Sequence, residues 1–171
     1  MRLVIGCDLE EFKRYYKQLA LDGEWKGTFG FTEELDTNWE KILVDNPELL
    51  LAWKENDEII GHAIWHETGT EAHREGDPRD NEDRNLLRKL CGGKMDNIVE
   101  LHELWLRKKY RGKGYGTRFF EFFEDFIRDK RYDAIVYYAD HPAAIAVCRN
   151  RGWKEGYLAK ERWYVFCLSL K

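Results

Sequence analysis

Hydrophobic and polar positions in the first fifty residues of the chain predict one strand and two helices. Residues 2–6 form a short β-prone run. Over 8–23 the apolar residues keep the spacing of three and four that is typical of one helix face. A second helix is predicted to open at Thr32, a residue type favoured at helix starts, and to run to about Asn46, ahead of Pro47.

A β-hairpin and then a long polar segment follow. Apolar residues dominate 49–54 and 59–66, and the four polar residues at 55–58 are predicted to form the turn between these two strands. Residues 67–97 are polar, with one short helix predicted at 81–90 and closed by Gly92 and Gly93. A connection of this length inside a compact domain is usually functional, disordered or part of an oligomer contact.

The second half of the chain alternates strands and helices. Strands are predicted at 98–106, 134–139, 153–158 and 163–170, and helices at 117–131 and from Pro142 to Gly152. The first of these helices has an apolar face that predicts burial against a sheet: Phe119, Phe122, Phe123, Phe126 and Ile127. The resulting order, β-α-α-β-β-β-α-β-α-β-β, predicts a mixed α/β fold.

Length and composition predict one domain over residues 1–171. A content of 43% hydrophobic and 35% charged residues is ordinary for a soluble globular protein. The sequence shows no run of about 18 apolar residues and no leader that resembles a signal peptide, so we expect a cytoplasmic location and no membrane partner. The four cysteines form no C-x-x-C pair, which indicates reduced thiols rather than a disulfide or zinc framework.

The segment 111–116 is the strongest candidate for a binding site. Its sequence, Arg-Gly-Lys-Gly-Tyr-Gly, has glycines at alternate positions, so the backbone can fold tightly and approach a ligand closely. The predicted helix after it offers unpaired N–H groups and the positive end of a helix dipole, which favour phosphate. Six lysines and arginines and no acid lie in 107–118, in a chain of net charge −4. We therefore expect an anionic ligand, although a solvated basic loop has a similar composition.

Spacing excludes two common nucleotide-binding loops. A Walker A loop requires G-x-x-x-x-G-K-[ST], which the chain lacks. The dinucleotide fingerprint G-x-G-x-x-G fails as well, because its last glycine, counted from Gly112, falls on Thr117. The anion site is therefore of another type.

The strand, the turn and the helix together resemble the acyl-CoA-binding motif of the GNAT superfamily of N-acetyltransferases. The resemblance rests on the strand Glu-Leu-His-Glu-Leu-Trp-Leu at 100–106 and on the pattern Arg-x-x-Gly-x-Gly at 111–116. The segment 148–153 is similar to the end of a family helix, usually Tyr-x-x-x-Gly-Phe, and the element order over 1–170 fits. The resemblance implies a mostly antiparallel, splayed sheet flanked by helices. It also makes 67–97 an insertion, because the family usually joins its third and fourth strands by a short turn.

The resemblance also implies where acetyl-CoA, the acetyl donor, binds. Backbone N–H groups of the turn would hold the pyrophosphate, and backbone groups of the strand would pair with the pantetheine arm as an added strand does. The residues so implied are Leu104, Trp105, Leu106, Arg111, Gly112, Lys113, Gly114, Tyr115, Gly116 and Thr117.

The apolar phase of the predicted strand changes within 98–106. Val99 and Leu101 lie at odd positions, whereas Leu104 and Leu106 lie at even ones. A β-bulge near 102–103 would produce this slip of one residue, and would support a splayed sheet. A strand buried on both faces is the alternative, since alternation then carries little information.

Acetyl transfer to an amine needs a base, an oxyanion donor and an acid for the leaving thiolate. A carboxylate can take the proton of the amine directly or through water. The resemblance implies Glu100 as this base, at the position of the catalytic glutamate in the histone-acetyltransferase branch. Glu103, near the position of a substrate-binding acid in other branches, is the second candidate. A backbone N–H at Leu104 or Leu106 would stabilise the oxyanion of the tetrahedral intermediate.

The general acid stays unassigned at the level of sequence. Cys148 stands where the family usually has tyrosine, and His141 where it usually has an upstream asparagine. A free cysteine has a pKa of about 8.5, so Cys148 could protonate a thiolate, but a small packed residue is the commoner role of such a cysteine. The alternatives are solvent and three tyrosines: Tyr137, Tyr138 and Tyr157.

Three histidines lie on the strands predicted at 59–66 and 98–106: His62, His66 and His102. We expect them to line an acceptor pocket, with half-buried strand histidines as the alternative. No metal is expected, because the family needs none and no cysteine is near in the sequence.

The sequence therefore predicts an acyltransferase that moves an acetyl group from acetyl-CoA to a primary amine, on a small molecule or a peptide. A non-catalytic acyl-CoA-binding or sensing module is the alternative, because the turn is intact while the acid position is altered. Nucleic-acid binding is disfavoured by the overall acidity and by the few aromatic residues near the basic loop. The insertion is expected to cover the acceptor pocket or to form the contact of a homodimer.

Overall fold

The computed structural model describes residues 2–24 and 36–171 of the chain. Within that range it contains seven strands and five α-helices: β1 (Arg2–Ile5), α1 (Leu9–Leu21), α2 (Asp36–Asp45), β2 (Leu50–Glu55), β3 (Glu58–Thr68), α3 (Asn81–Cys91), β4 (Ile98–Leu106), α4 (Tyr115–Asp129), β5 (Ala134–Ala139), α5 (Pro142–Asn150), β6 (Lys154–Leu158) and β7 (Trp163–Ser169). Among the described residues, none of the helices combines the length and the hydrophobicity that a membrane crossing requires.

The strands form one mostly antiparallel open sheet in the order β1-β2-β3-β4-β5-β7-β6. β1 and β2, β2 and β3, β5 and β7, and β6 and β7 pair in antiparallel fashion. β4 and β5 are parallel, and their ladder runs from Ile98–Ala134 to Leu101–Tyr137, although β4 itself continues to Leu106. The predicted mixed α/β fold with a mostly antiparallel sheet is confirmed.

The elements occur in the predicted order, with α3 as an additional helix between β3 and β4. The short helix predicted at 81–90 is α3, and Gly92 closes it in a left-handed conformation with φ of 84°. The predicted start of the second helix at Thr32 lies outside the described residues. The turn predicted at 55–58 is tighter, because Asn56 and Asp57 alone connect β2 to β3, both with positive φ, as in a two-residue hairpin.

The chain forms two compact units. The first comprises Met1–Ile64 with Glu103–Lys113, and the second comprises Trp65–His102 with Gly114–Lys171. β3 and β4 therefore contribute one segment to each unit. The single domain predicted from the length stays a prediction.

In the first unit α1 packs on the β2–β3 hairpin. The helix begins at Leu9 because the carboxylate of Asp8 accepts a hydrogen bond from the Glu11 N–H (2.7 Å). Its buried face consists of Phe12, Tyr15, Tyr16 and Leu19. Close packing also requires the glycine at position 61 of β3, since a Cβ on Gly61 would lie 2.2 Å from Cε3 of Trp53.

In the second unit β5 is covered on both faces. Tyr137 lies on one face, where its ring is 6.1 Å from that of Phe120 in α4. Ala134 and Val136 belong to an apolar cluster on the other face, to which α3 contributes Leu87, Leu90 and Cys91. A continuous apolar run is typical of a strand in this position. The insertion therefore supplies part of the core through α3.

The buried face of α4 differs from the prediction in detail. Three of the five predicted residues are buried, whereas Phe122 and Phe126 are half-buried. Phe120 is buried instead, because its ring packs edge-on against Trp153 at 5.5 Å. Helical spacing alone does not show such a contact with a distant residue.

Candidate active site

The glycine turn leads directly into α4. Gly112 and Gly114 have positive φ angles of 74° and 79°, and Gly114 immediately precedes the helix. No side chain caps the start of α4, and its first turn contains no acid. A Cβ at Gly112, Gly114 or Gly116 would meet no atom of the described residues within 4 Å. Within the part of the chain that the structure describes, the start of the helix is therefore open, and its first turn carries no negative charge, which suits an anionic group.

Arg111 folds back from the turn onto β4. Its Nε donates a hydrogen bond to the Leu106 carbonyl (2.8 Å), and its guanidinium lies 4.4 Å from the centre of the Trp105 ring. The side chain thus holds the turn against the strand. Lys113, two residues on, is exposed and adds positive charge beside the turn.

The backbone of β4 has one edge on β3 and one edge directed away from it. Just past the strand, the Arg107 N–H donates to the Ile60 carbonyl of β3 (2.9 Å). Successive residues of a strand direct their N–H and C=O groups to opposite sides. Those of Leu104 and Leu106 therefore point away from β3. They are the groups expected to bind pantetheine and the oxyanion.

The buried side chains of β4 from residue 99 to residue 103 are those at odd positions. Val99, Leu101 and Glu103 are buried, whereas Leu104 and Leu106 are half-buried. The apolar phase of the sequence therefore changes at Glu103, which is buried like Val99 and Leu101 although it is a carboxylate. The predicted bulge stays a prediction.

Glu103 is buried in the first unit, where it contacts a histidine. Its carboxylate is hydrogen-bonded to Nε2 of His62, and Nδ1 of His62 lies 3.2 Å from the hydroxyl of Tyr15. Burial raises the pKa of Tyr15, so this hydroxyl keeps its proton and is able to donate to Nδ1. The rings of Phe12 and Tyr16 pack around the imidazole, at 5.2 and 5.6 Å.

Glu100 lies in the second unit, among two histidines and an arginine. Its Oε1 is 3.4 Å from Nδ1 of His102 and 3.8 Å from Nε2 of His66, and its Oε2 is 3.7 Å from the guanidinium of Arg79. Burial favours the neutral acid, but the interaction with His102 and the neighbouring positive charges outweigh it and lower the pKa of Glu100. Burial lowers the pKa of His66. The group therefore combines an ionised carboxylate with a neutral histidine.

Arg79 connects the insertion to Glu100. It is 3% exposed, and its nitrogens donate to the carboxylate of Asp83 (2.8 Å) and to the hydroxyl of Thr68 (2.7 Å). The hydroxyl of Tyr138 lies 3.1 Å from Arg79 and donates to the other oxygen of Asp83 (2.7 Å). These contacts fix the guanidinium in place beside Glu100.

The candidate general acids have other roles in the structure. Cys148 is fully buried, and burial raises the pKa of its thiol to about 12. The hydroxyl of Tyr138 donates a hydrogen bond to the carboxylate of Asp83. His141 caps α5, where its Nδ1 accepts a hydrogen bond from a backbone N–H of the first turn (3.2 Å). The other two candidates are tyrosines, one buried and one exposed: Tyr137 and Tyr157.

No pattern in the sequence marks Arg79 and Asp83 as part of this group. Their spacing of four residues is common in exposed ion pairs on helices, so on its own it does not point to a buried site. The three histidines are also divided in a way that spacing does not show. His62 pairs with Glu103, whereas the other two lie beside Glu100.

Residues 12–153 match the model of the family described as Acetyltransferase (GNAT) family. The chain belongs to the GNAT family. It is therefore an acyltransferase, and the predicted membership of the GNAT superfamily is confirmed. The assignment of the glycine turn as the acyl-CoA-binding motif stays a prediction. A search of curated protein sequences finds no significant match.

Solved acetyltransferase structures share the fold at low sequence identity. The NatC complex bound to Gag peptide and CoA contains a chain that is 16% identical, with 100% of both chains covered and a TM-score of 0.62. For arylalkylamine N-acetyltransferase 2 from Aedes aegypti the identity is 14%, the coverage 99% of both chains and the TM-score 0.66. For an N-acetyltransferase from Staphylococcus aureus Mu50 the values are 16%, 100% of both chains and 0.63. At such identities the similarity shows the fold.

Proposed function

We propose that this GNAT protein transfers the acetyl group of acetyl-CoA to a primary amine by direct attack of the amine. The start of α4 carries the proposal. It has an acid-free first turn and glycines before and within that turn, and no atom of the described residues lies within 4 Å of where their side chains would begin. Backbone N–H groups can approach the oxygens of a pyrophosphate there without a side chain in between.

The donor site extends from this turn along β4. The backbone from Arg111 to Thr117 would hold the pyrophosphate, and the groups of Leu104 and Leu106 that point away from β3 would pair with the pantetheine amides. Acetyl-CoA supplies the acetyl group as a thioester. Arg111 keeps the turn and the strand together through its hydrogen bond to the Leu106 carbonyl.

Glu100 is our candidate for the base. A lysine-like amine has a pKa of about 10, so it must lose a proton before it attacks. Glu100 is ionised and its side chain is 14% exposed, so an acceptor can reach it. Glu103 is the weaker candidate, because its side chain is 5% exposed and its carboxylate is already hydrogen-bonded to His62. The Leu104 or Leu106 N–H would donate to the oxyanion, and solvent would protonate the thiolate.

The acceptor is proposed to be an amine on a small molecule or a peptide. A NatC complex with a Gag peptide and an arylalkylamine N-acetyltransferase share this fold, so both kinds of amine have a precedent. The insertion brings Arg79 to within 3.7 Å of Glu100, which supports its expected role beside the acceptor. The cytoplasmic location and the homodimer stay predictions from the sequence.

Thiol release from acetyl-CoA tests the proposal, with a panel of polyamines, amino acids, aminoglycosides and lysine peptides. Glu100→Gln should lower turnover much more than CoA affinity, and Glu103→Gln is the matched control. If only Glu103→Gln lowers turnover, Glu103 is the base. CoA binding without turnover on any amine would instead favour a non-catalytic acyl-CoA-binding module.

A further inference from the structure

Three side chains outside the glycine turn form a group that can hold a divalent metal ion. They are His66 of β3 with Glu100 and His102 of β4, and one ligand atom from each lies within 4.8 Å of the other two. Two imidazoles and one carboxylate are a donor set that Zn²⁺ binds in proteins. β3 and β4 are neighbours in the sheet, so regular secondary structure supports all three residues.

The distances within this group fit a tetrahedral ion better than they fit hydrogen bonds. His102 Nδ1 and His66 Nε2 lie 3.4 and 3.8 Å from the same atom, Glu100 Oε1. A good N–H···O hydrogen bond has an N···O distance of about 2.7–3.2 Å. Bonds of about 2.0–2.1 Å from a tetrahedral Zn²⁺ place its ligand atoms about 3.3–3.4 Å apart. The His102–Glu100 pair already has this spacing, and the His66–Glu100 pair needs a shift of a few tenths of an ångström. The ligand nitrogens of the two histidines lie within 4.8 Å of one another, so the rings must also move together to close on an ion.

The proton of a neutral His66 is on the nitrogen remote from Glu100. Its Nδ1 lies 2.8 Å from the carbonyl oxygen of Glu67. Since a carbonyl oxygen only accepts, Nδ1 carries the proton and Nε2 has the lone pair. Histidines that bind metals commonly donate their second nitrogen to a backbone carbonyl in this way, which orients the ring.

The second oxygen of the Glu100 carboxylate, Oε2, faces an arginine. Arg79 faces Oε2 at 3.7 Å, so Oε1 remains on the side of the histidines. The positive charge of Arg79 is balanced by Asp83 at 2.8 Å. The carboxylate of Glu100 therefore supplies the negative charge that favours a cation at this position.

An ion can reach the group from solvent. The side chains of His102 and Glu100 are 27% and 14% exposed, and that of His66 is 9% exposed. Three protein ligands at an accessible position leave a fourth site for water, which is the arrangement of open zinc sites.

We propose that His66, Glu100 and His102 bind one Zn²⁺ ion with water as the fourth ligand, and that this ion inhibits acetyl transfer by occupying the carboxylate of Glu100. The metal site follows from the geometry of the three side chains. The inhibition rests on the proposed function. Both depart from the expectation, drawn from the sequence, that no metal is involved.

Cobalt(II) is the probe for the site, because tetrahedral Co²⁺ absorbs visible light strongly and Zn²⁺ displaces it. Full-length protein freed of metal by a chelator should bind one equivalent of Co²⁺, and Zn²⁺ should abolish the absorption. His102→Ala and Glu100→Gln should each weaken binding about 100-fold or more, since loss of a partner behind a ligand already costs about 10–100-fold. The control is His73→Ala, which removes an exposed histidine of the insertion and should leave the spectrum unchanged.

Two results would overturn the metal site. One is the absence of the Co²⁺ spectrum in the unmodified protein. The other is unchanged affinity in His102→Ala or Glu100→Gln when circular dichroism shows that the variant is folded. Inhibition is measured separately, as the loss of turnover on addition of Zn²⁺ in proportion to occupancy. Unchanged turnover at full occupancy would overturn the inhibition. Failure of the metal-free protein to acetylate any amine would refute the proposed function, while the Co²⁺ titration would still decide the site.

Discussion

Replacement of Arg79 by alanine is expected to destabilise the protein by about 3 kcal/mol. The side chains of Arg79 and Asp83 are 1% and 9% exposed, so water cannot take the place of the lost partner. Removal of one partner from a buried ion pair costs about 3–5 kcal/mol, because the other charge remains buried without compensation. We expect the lower end of this range, since the hydroxyl of Tyr138 still donates to Asp83 at 2.7 Å.

Thermal unfolding measures this loss. For a protein of this size a change of 1 kcal/mol shifts the midpoint by about 2–4 °C, so Arg79→Ala should lower it by about 6–12 °C. Arg88→Ala is the matched control. Arg88 also lies in the insertion and pairs with Glu71, but its side chain is 44% exposed, so its loss should have little effect.

A second substitution tests the cause of the loss. Asp83→Asn in the Arg79→Ala background removes the uncompensated charge, so the double variant should be more stable than Arg79→Ala alone. Equal losses in Arg79→Ala and Arg88→Ala would refute the buried ion pair as a source of stability. A double variant less stable than Arg79→Ala would refute the role of the unpaired carboxylate.

Three further predictions concern the turn, the packing of β3 and a buried thiol. Gly114→Asp should weaken CoA binding about tenfold or more in calorimetry, because its negative charge would face the pyrophosphate. The control is Gly76→Asp, at an open glycine with a similar φ of 88°, which should leave CoA affinity unchanged. Equal CoA affinities in the two variants would exclude the proposed pyrophosphate site at the start of α4. Gly61→Ala should cost about 1–3 kcal/mol in urea unfolding, because its Cβ would meet the Trp53 ring at 2.2 Å and the Trp105 backbone oxygen at 2.8 Å. Gly156→Ala should cost less, since the nearest atoms to its Cβ all belong to the flexible side chain of Leu86, and the reverse order would contradict this account. Cys148 should resist alkylation at pH 8 in the folded protein and react after unfolding, because burial raises the pKa of its thiol from 9.0 to about 12. Rapid labelling of the folded protein at pH 8 would contradict this, because it would show that the thiol is accessible. The contribution of the buried thiol to the free energy of unfolding is complete below pH 9.0 and is lost as the pH rises toward 12.

Most helices and strands could be predicted because their signals are local. The apolar spacing over 8–23 and the β-prone runs of the second half recur in the structure with shifts of one or two residues at most ends. Packing between distant elements was harder to predict. Phe120 is buried because it meets Trp153, and no pattern within the helix distinguishes it from Phe122, which is half-buried.

The candidate site divides in the same way between local and distant features. The glycine turn could be predicted as a tight turn before a helix, since its positive φ angles and the acid-free start of α4 depend on adjacent residues. The helix begins at Tyr115, two residues earlier than predicted, so the turn itself ends at Gly114. The surroundings of Glu100 could not. Arg79 reaches it from twenty-one residues upstream, and burial turns a helical ion pair of ordinary spacing into a fixed neighbour of the carboxylate.

The sequence by itself predicted an anion site at the start of a helix and determined that the protein resembles the GNAT family. It could do so because a glycine turn and a helix terminus act through backbone groups within a few residues of one another. Only the tertiary structure decided which histidine accompanies which carboxylate. His62 and His66 occupy the same face of one strand, but four residues of strand span about 13 Å, so the two side chains contact different carboxylates. Neighbouring strands then bring Glu103 to the first histidine and Glu100 to the second.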